Sequence, residues 1–291
     1  MGNTPLYLLT VLIWGSSFYA IKHQLTTVSP EVSIFYRFSI AALLLFCYCV
    51  LRKKAMKFPV TTHVRFLFMG LLLFNLNFLF VYIAAEHMTT GLVSVVFSLI
   101  VIFNMVNGAL FLGDRITPMM LAGAGTGFFG IALVFYPEVS GFNLDDSGLT
   151  SLMFALMGTV SASFGMITSA SIQRLHVPVM SSNAWGMFYG AGLMLVSIWL
   201  QGIPLTFDSS PGYVISLLFL AMFASVLAFG CFLTLIGRIG AGKASYATVL
   251  FPILALALST IFEDYSWTLV ALTGVALALA GNGMILLDRQ R

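Results

Sequence analysis

Arg65 to Ala85 reads RFLFMGLLLFNLNFLFVYIAA: one charge at its start, then twenty residues whose only polar side chains are Asn75, Asn77 and Tyr82. About 20 consecutive apolar residues in helical geometry match the roughly 30 Å hydrocarbon core of a bilayer. No period-two alternation runs through the stretch. A single strand in lipid would also leave its backbone groups unpaired, whereas a helix satisfies them internally. The segment is therefore expected to be a transmembrane helix.

Working outward, similar runs separated by short polar breaks fall near 5–22, 32–51, 91–112, 118–137, 150–172, 182–201, 212–236, 244–262 and 267–287. With 65–85 they make ten expected transmembrane helices and leave no room for a soluble domain. The fold class is all-α and polytopic. Composition agrees: of 291 residues 60% are hydrophobic and only 8% charged, with a mean hydropathy of +1.02, whereas soluble domains carry about 25% charged residues. The first run has no basic segment before it and no small-x-small site after it, so it reads as helix one, not as a secretory signal. Cys47, Cys49 and Cys231 all lie within apolar runs, without CxxC spacing, which supports neither a disulfide framework nor a zinc site.

Basic residues set an expected orientation, because Lys and Arg are retained on the cytoplasmic side of short loops. Arg52, Lys53, Lys54, Lys57 and Arg65 cluster between helices two and three. With the N-terminus inside, Arg115, Arg174, Arg238, Lys243, Arg289 and Arg291 fall on the same side, and only Lys22 and Arg37 lie toward the other face. The connection holding Glu138, Asp145 and Asp146 carries no basic residue and suits translocation. Both termini are expected in the cytoplasm of a cell whose inner membrane holds the chain. The net charge of +3 reflects this topology, so no nucleic-acid partner is expected; the lipid bilayer is.

Shifted by 150 residues, the chain aligns with itself without a gap. Trp14-Gly15-Ser16-Ser17 falls on Phe164-Gly165-Met166-Ile167, Gly113-Asp114-Arg115 falls on Glu263-Asp264-Tyr265, and Gly91 falls on Ala241. Apolar spans and their breaks stay in register throughout. This is the pattern of a duplicated five-helix unit, residues 1–141 and 142–291. Five is odd, so the second copy is expected to enter the membrane from the opposite side, and inverted repeats are the geometry of alternating-access transporters.

The whole chain resembles the EamA branch of the drug/metabolite transporter superfamily. The resemblance rests on Trp14-Gly15-Ser16-Ser17-Phe18, on Phe35-Tyr36-Arg37-Phe38, and on Ala84-Ala85 leading to Gly91. Leu112-Gly113-Asp114-Arg115 before a glycine-rich helix five and Phe251-Pro252 in helix nine complete it. One departure is Ile102, where the repeat would place a counterpart of Pro252. The resemblance implies export or exchange of amino acids and related small polar metabolites, through a central cavity lined by both halves.

Polar and aromatic residues inside the spans are the candidate lining, since such groups in lipid face a cavity or another helix. On helix three, Asn75, Tyr82 and Glu86 share one α-helical face, with Asn77 nearby; the competing reading is interhelical hydrogen bonding, with Glu86 in water at the helix end. Helix four offers Ser94, Phe97, Ser98 and Asn104, where packing suffices for the serines but a deep Asn104 amide needs partners. Tyr246 and Thr248, near Ser245, occupy the related stretch of helix nine. Trp14 and Ser17 stand on helix one. Arg37 sits two turns into helix two, placed either to anchor by snorkelling or to meet a substrate carboxylate. Tyr36, Trp185 and Tyr189 read as core or interface aromatics. Gly123-xxx-Gly127 and Gly186-xxx-Gly190 read as close-packing positions, and the first of these is also where a homodimer contact could form.

Gly237 to Lys243 has the spacing of a phosphate-binding loop, but Ala244 replaces the required Ser or Thr and no strand precedes it. An intramembrane enzyme would need a nucleophile–base or metal constellation. His23, His63, His87 and His176 all fall near span ends or in loops, no HExxH occurs, and Ser16 and Ser17 have no histidine at helical spacing. No catalytic residue, metal or cofactor is expected. A membrane assembly or sensing subunit is the other alternative, though it has no need of inverted duplication. No acidic residue lies at mid-span to relay protons, so facilitated export or exchange is expected.

Overall fold

The computed structural model describes residues 2–24, 28–87, 90–134, 136, 146–251, 253–254 and 268–287. Glu138, Asp145, Pro252, the Glu263-Asp264-Tyr265 break, Arg289, Arg291 and the expected 141/142 boundary lie outside them. Among the described residues there is helix and no strand. In chain order come α1 (Asn3–Lys22), α2 (Pro30–Leu51), α3 (Val60–Met69, Gly70–Leu76 and Asn77–His87) and α4 (Thr90–Ser98, Ile100–Asn107 and Gly108–Leu112). Then follow α5 (Pro118–Val134), α6 (Asp146–Gln173), α7 (Val179–Gln201), α8 (Pro211–Phe219, Leu220–Ala228 and Phe229–Ile239), α9 (Ala241–Ser245 and Tyr246–Leu250) and α10 (Leu269–Leu287).

The first three helices and α6, α7 and α8 are each long and apolar enough to cross a bilayer, while α5, α10 and the continuous part of α4 are shorter apolar helices. The last half of the expected ninth span lies outside the described residues. Helix ends follow local chemistry. Pro30 and Pro211 open α2 and α8 at the first turn, where their missing N–H costs nothing. Gly113 ends α4 with a φ of 72° and Gly202 ends α7 with a φ of 66°, the left-handed cap that glycine adopts without strain. Outward-facing Leu8, Leu43, Leu51, Phe111 and Leu272 are exposed, as a lipid solvent requires.

The duplication read from the sequence recurs in the geometry. Moving α2 by 150 residues places it on 180–201, against the observed Val179–Gln201. The same shift carries the π-helical segment Gly70–Leu76 of α3 onto the π-helical Leu220–Ala228 of α8. Packing is exchanged between the halves: α1 lies against α8 and α9, and its counterpart α6 lies against α3 and α4. Counterparts α2 and α7 pack on each other, as do α5 and α10. The main core is shared by both repeats, with Ile34, Phe38 and Leu45 meeting Met187, Met194 and Phe232.

Both expected glycine patterns are packing positions. A Cβ on Gly281 would lie 2.6 Å from Gly123 O and Gly127 N, and one on Gly70 would lie 2.5 Å from Gly186 O. The Gly123–Gly127 face therefore meets α10 of the same chain. Helices four and nine are both irregular at matching positions: α4 is interrupted at Leu99, and α9 tightens to a 3-10 turn over Tyr246–Leu250.

Helix three corrects one expectation. Its π-helical segment takes an extra residue per hydrogen-bonded ring, so positions on either side lose the common α-helical phase. Asn75 and Tyr82 do not form one lining face. Asn75 turns toward α7, where its Nδ2 donates to Gly190 O at 3.0 Å, and Asn77 faces the interior instead. Glu86 is exposed.

Candidate functional site

At the interface between repeats lies a small space of about 50 Å³. Trp14, Ser17, Arg37, Asn77 and Phe97 line it from the first repeat, and Met166, Phe229 and Phe251 from the second. Phe78 and Val81 of α3 and Ile21 of α1 complete the wall.

Trp14 is fixed on three sides. Its indole Nε1 donates to Ala224 O at 2.9 Å, and its ring meets Phe229 edge-on at 4.6 Å and Phe251 at 5.7 Å between centroids. Ser17 Oγ is tied back to Trp14 O at 2.8 Å. Arg37 is only 1% exposed. Its Nε donates to Ser225 Oγ at 2.9 Å, and its guanidinium carbon lies 4.3 Å above the Phe78 ring. Such depth overturns the snorkelling reading: the head group is enclosed between α2, α3 and α8 instead of reaching a polar surface. The Tyr82 hydroxyl interacts with the guanidinium electrostatically without the alignment of a hydrogen bond. Arg37 Nη1, Tyr82 Oη and Asn77 Oδ1 are all buried without a hydrogen-bond partner.

A second, larger cavity of about 680 Å³ opens where the basic residues gather, lined by Arg115, Arg174, Arg238, Lys243 and Asp114. Arg174 bridges the halves there, with Nη1 on Leu112 O at 2.7 Å and Nη2 on Asp114 Oδ1 at 3.3 Å. Asn104 forms the inner wall of this vestibule. Its Nδ2 meets Ser245 Oγ at 2.5 Å and Met166 Sδ at 3.2 Å. Because Met166 lines the smaller space, the Asn104–Met166 contact lies between the two cavities.

At the opposite end polar contacts tie α1, α2 and α8 together. Gln24 Nε2 donates to Tyr213 O at 3.0 Å and to Ser216 Oγ at 2.5 Å, and Ser33 Oγ lies 3.0 Å from Tyr213 Oη. Arg238 on the vestibule side reaches Asn3 at the start of α1, and Gln24 follows the other end of that helix. The vestibule and these contacts are thus separated by the length of a helix of 20 residues, about 30 Å.

Of the expected lining residues, the structure brings Trp14, Ser17, Arg37, Asn77 and Phe97 to one space, Asn104 to the contact beside it and Tyr82 behind Arg37. Asn75 packs on α7. Tyr246 is a packing residue, its hydroxyl on Met120 O at 3.0 Å, and Thr248 Oγ1 is spent on Ser245 O at 2.6 Å. Ser94 and Ser98 are buried on α4 and line neither cavity. Missed were Phe78, Met166, Phe229 and Phe251, which nothing in the sequence separates from the many other apolar residues. Ser225 was missed too, although its small polar side chain in the eighth apolar run was a usable signal. Among the described residues no group of three His, Cys, Asp or Glu is placed to hold a metal ion.

Similarity to known proteins runs along the whole chain. The chain is 28% identical over 287 residues to a probable amino-acid metabolite efflux pump of Salmonella typhimurium, covering 95% of this chain and 92% of that one. It is 26% identical over 286 residues to the protein of the same description in Escherichia coli strain K12, again covering 95% and 92%. A solved crystal structure superposes with a TM-score of 0.79 at 17% identity, covering 97% of this chain and 95% of the other, which supports the fold alone. The model of the EamA-like transporter family matches residues 5–136 and 149–287, one match for each five-helix unit. With two repeats packed around a shared cavity and a family match on each, this multi-pass membrane protein belongs to the EamA-like transporter family.

Proposed function

We propose that this transporter exports small polar metabolites, amino acids or closely related compounds, by alternating access. The observation that carries the reading is the small space lined by both repeats, next to a wide vestibule across the Asn104–Met166 contact, with Gln24, Ser33, Tyr213 and Ser216 bonded to one another at the far end. A carrier open to one side has this arrangement, and exchange of conformations between inverted repeats gives the other. The aromatic wall suits an apolar side chain, while Asn77, Ser17 and Arg37 suit the polar end of a zwitterion. The two efflux pumps that the chain resembles support amino-acid metabolites as cargo.

The vestibule gathers four cationic residues against one acid, and the 52–57 loop is basic as well. By the retention of positive charge these mark the cytoplasmic face of a cell (inner) membrane, with both termini on that side. Among the described residues no Asp or Glu is buried, which favours facilitated export or exchange over a proton relay.

Counterflow in proteoliposomes tests the reading. Vesicles preloaded with an amino-acid mixture are expected to accumulate labelled amino acids in a saturable way. If the folded protein gives no counterflow for any amino acid, that cargo is excluded; absence of flux for other small metabolites as well would favour a non-transport membrane subunit.

A further inference from the structure

Among the described residues Arg37 has no acidic partner. It lies 1% exposed in the middle of the shared core, it cannot shed its proton, and among the described residues no carboxylate is buried anywhere. A buried charge left alone costs several kcal/mol, and its neighbours offset only part of this. Ser225 satisfies Nε, and the Phe78 face supplies a cation–π contact. Nη1 has nothing. Behind it the Tyr82 hydroxyl interacts with the guanidinium and is not part of the wall of the space. Across the space Asn77 Oδ1 is an unused acceptor.

The volume fits the same conclusion. About 50 Å³ is too small for an amino acid but holds a group of one or two water equivalents at roughly 30 Å³ each, the size of a carboxylate. The unpartnered donor of Arg37 and the unpartnered acceptor of Asn77 belong to residues that line it, and apart from Ser17 the rest of its wall is apolar.

We propose that this space is a carboxylate subsite: Arg37 Nη1 holds a carboxylate of the substrate, Tyr82 supports the guanidinium from behind, and Asn77 Oδ1 accepts from a neighbouring N–H. The assignment rests on the export reading for its biological setting but concerns binding alone. It makes the carrier selective for carboxylates, zwitterionic or anionic, against amines and amides of the same skeleton. The bulk of the substrate then extends toward Met166 and Asn104, on the side from which the vestibule opens.

The test is thermal unfolding of the purified full-length protein in detergent, titrated with L-phenylalanine, 3-phenylpropionate, phenylalaninamide and phenethylamine. A smaller series of alanine, propionate, alaninamide and ethylamine removes size as a variable, and sodium chloride serves as the control anion. Both carboxylates of a series should raise the unfolding midpoint, the amino acid most, while amine and amide leave it unmoved. Arg37→Gln should weaken the carboxylates about 10- to 100-fold, the worth of a charge-assisted hydrogen bond, and Arg37→Lys should fall between. Asn77→Asp gives an independent check that does not depend on the folding of the Arg37 variants. It places a resident carboxylate beside Arg37, so carboxylate binding should be lost while the midpoint without ligand holds or rises.

Equal shifts from amine and acid, chloride as effective as carboxylate, no shift from any carboxylate, or full carboxylate affinity in Arg37→Gln would overturn the assignment. Carboxylate binding without counterflow would sink the export reading alone. Counterflow of a solute that has no carboxylate, unchanged in Arg37→Gln, would sink this assignment alone.

Discussion

Trp14 Nε1 donates to the carbonyl oxygen of Ala224 at 2.9 Å, inside the π-helical segment of α8. The other repeat answers it: Ser161 Oγ on α6 donates to Leu72 O at 2.7 Å, inside the π-helical segment of α3. In each case the first helix of one repeat supplies the hydrogen that the third helix of the other accepts. Widened i to i+5 rings expose carbonyls that lipid cannot satisfy, so a donor from a facing helix takes one of them. The two bonds tie the repeats together.

Trp14→Phe keeps a ring against Phe229 and Phe251 but removes the donor from Ala224 O. Loss of one partner from a buried pair costs about 1–3 kcal/mol. The variant should fold, unfold at a lower temperature in detergent, and lose counterflow beyond what its stability explains. An unchanged midpoint would show that the Ala224 carbonyl finds another donor.

The packing of α5 on α10 gives a sharper contrast. A Cβ on Gly130 would lie 2.5 Å from Ala278 N and 2.6 Å from Gly274 O, backbone atoms that cannot rotate away, whereas nothing lies within 4 Å of one on Gly125. Gly130→Ala is therefore expected to destabilise by about 1–3 kcal/mol through overpacking, and Gly125→Ala to be neutral. Thermal melts of the pair decide it, since equal effects would mean that helix propensity and not contact is being read.

Much of this was legible because lipid imposes a simple rule on sequence. Apolar runs have one structural solution, and their breaks located the helix ends to within a few residues, as at Pro30–Leu51 and Val179–Gln201. The 150-residue offset was legible for the same reason. Side-chain directions were not. A π-helical segment has no compositional mark, so Asn75 and Asn77 exchanged roles relative to an α-helical wheel. Tyr246 and Thr248 resembled lining because they are polar, yet their hydroxyls end on nearby carbonyls. Arg37 was identifiable as out of place, but its depth depends on how α3 and α8 close over it, which a single run cannot reveal.

Orientation can be read by cysteine accessibility in a background with Cys47, Cys49 and Cys231 replaced by serine. Lys54 and Ser209 are both exposed, in the basic connection between α2 and α3 and in the connection between α7 and α8 respectively. Lys54→Cys should react with a membrane-impermeant maleimide only in inverted vesicles, and Ser209→Cys only in intact cells. The reverse pattern would place the vestibule outside and overturn the expected orientation of both termini.

The Asn104–Met166 contact gives the last test. Met166 is 1% exposed and is separated from the vestibule by Asn104, which holds both Met166 Sδ and Ser245 Oγ. Truncating Asn104 to alanine removes both contacts and an amide that stands between the cavities. In the same cysteine-free background, Met166→Cys should react slowly with a thiol reagent added on the vestibule side. Adding Asn104→Ala should speed that reaction several-fold, while ligand held in the small space slows it again. Stability should change by only about 1 kcal/mol, since Asn104 Oδ1 already lacks a partner and Ser245 keeps its bond to Ala241 O. If labelling is as fast without the second substitution, Asn104 is not the barrier, and access to the centre must run by another path between the repeats.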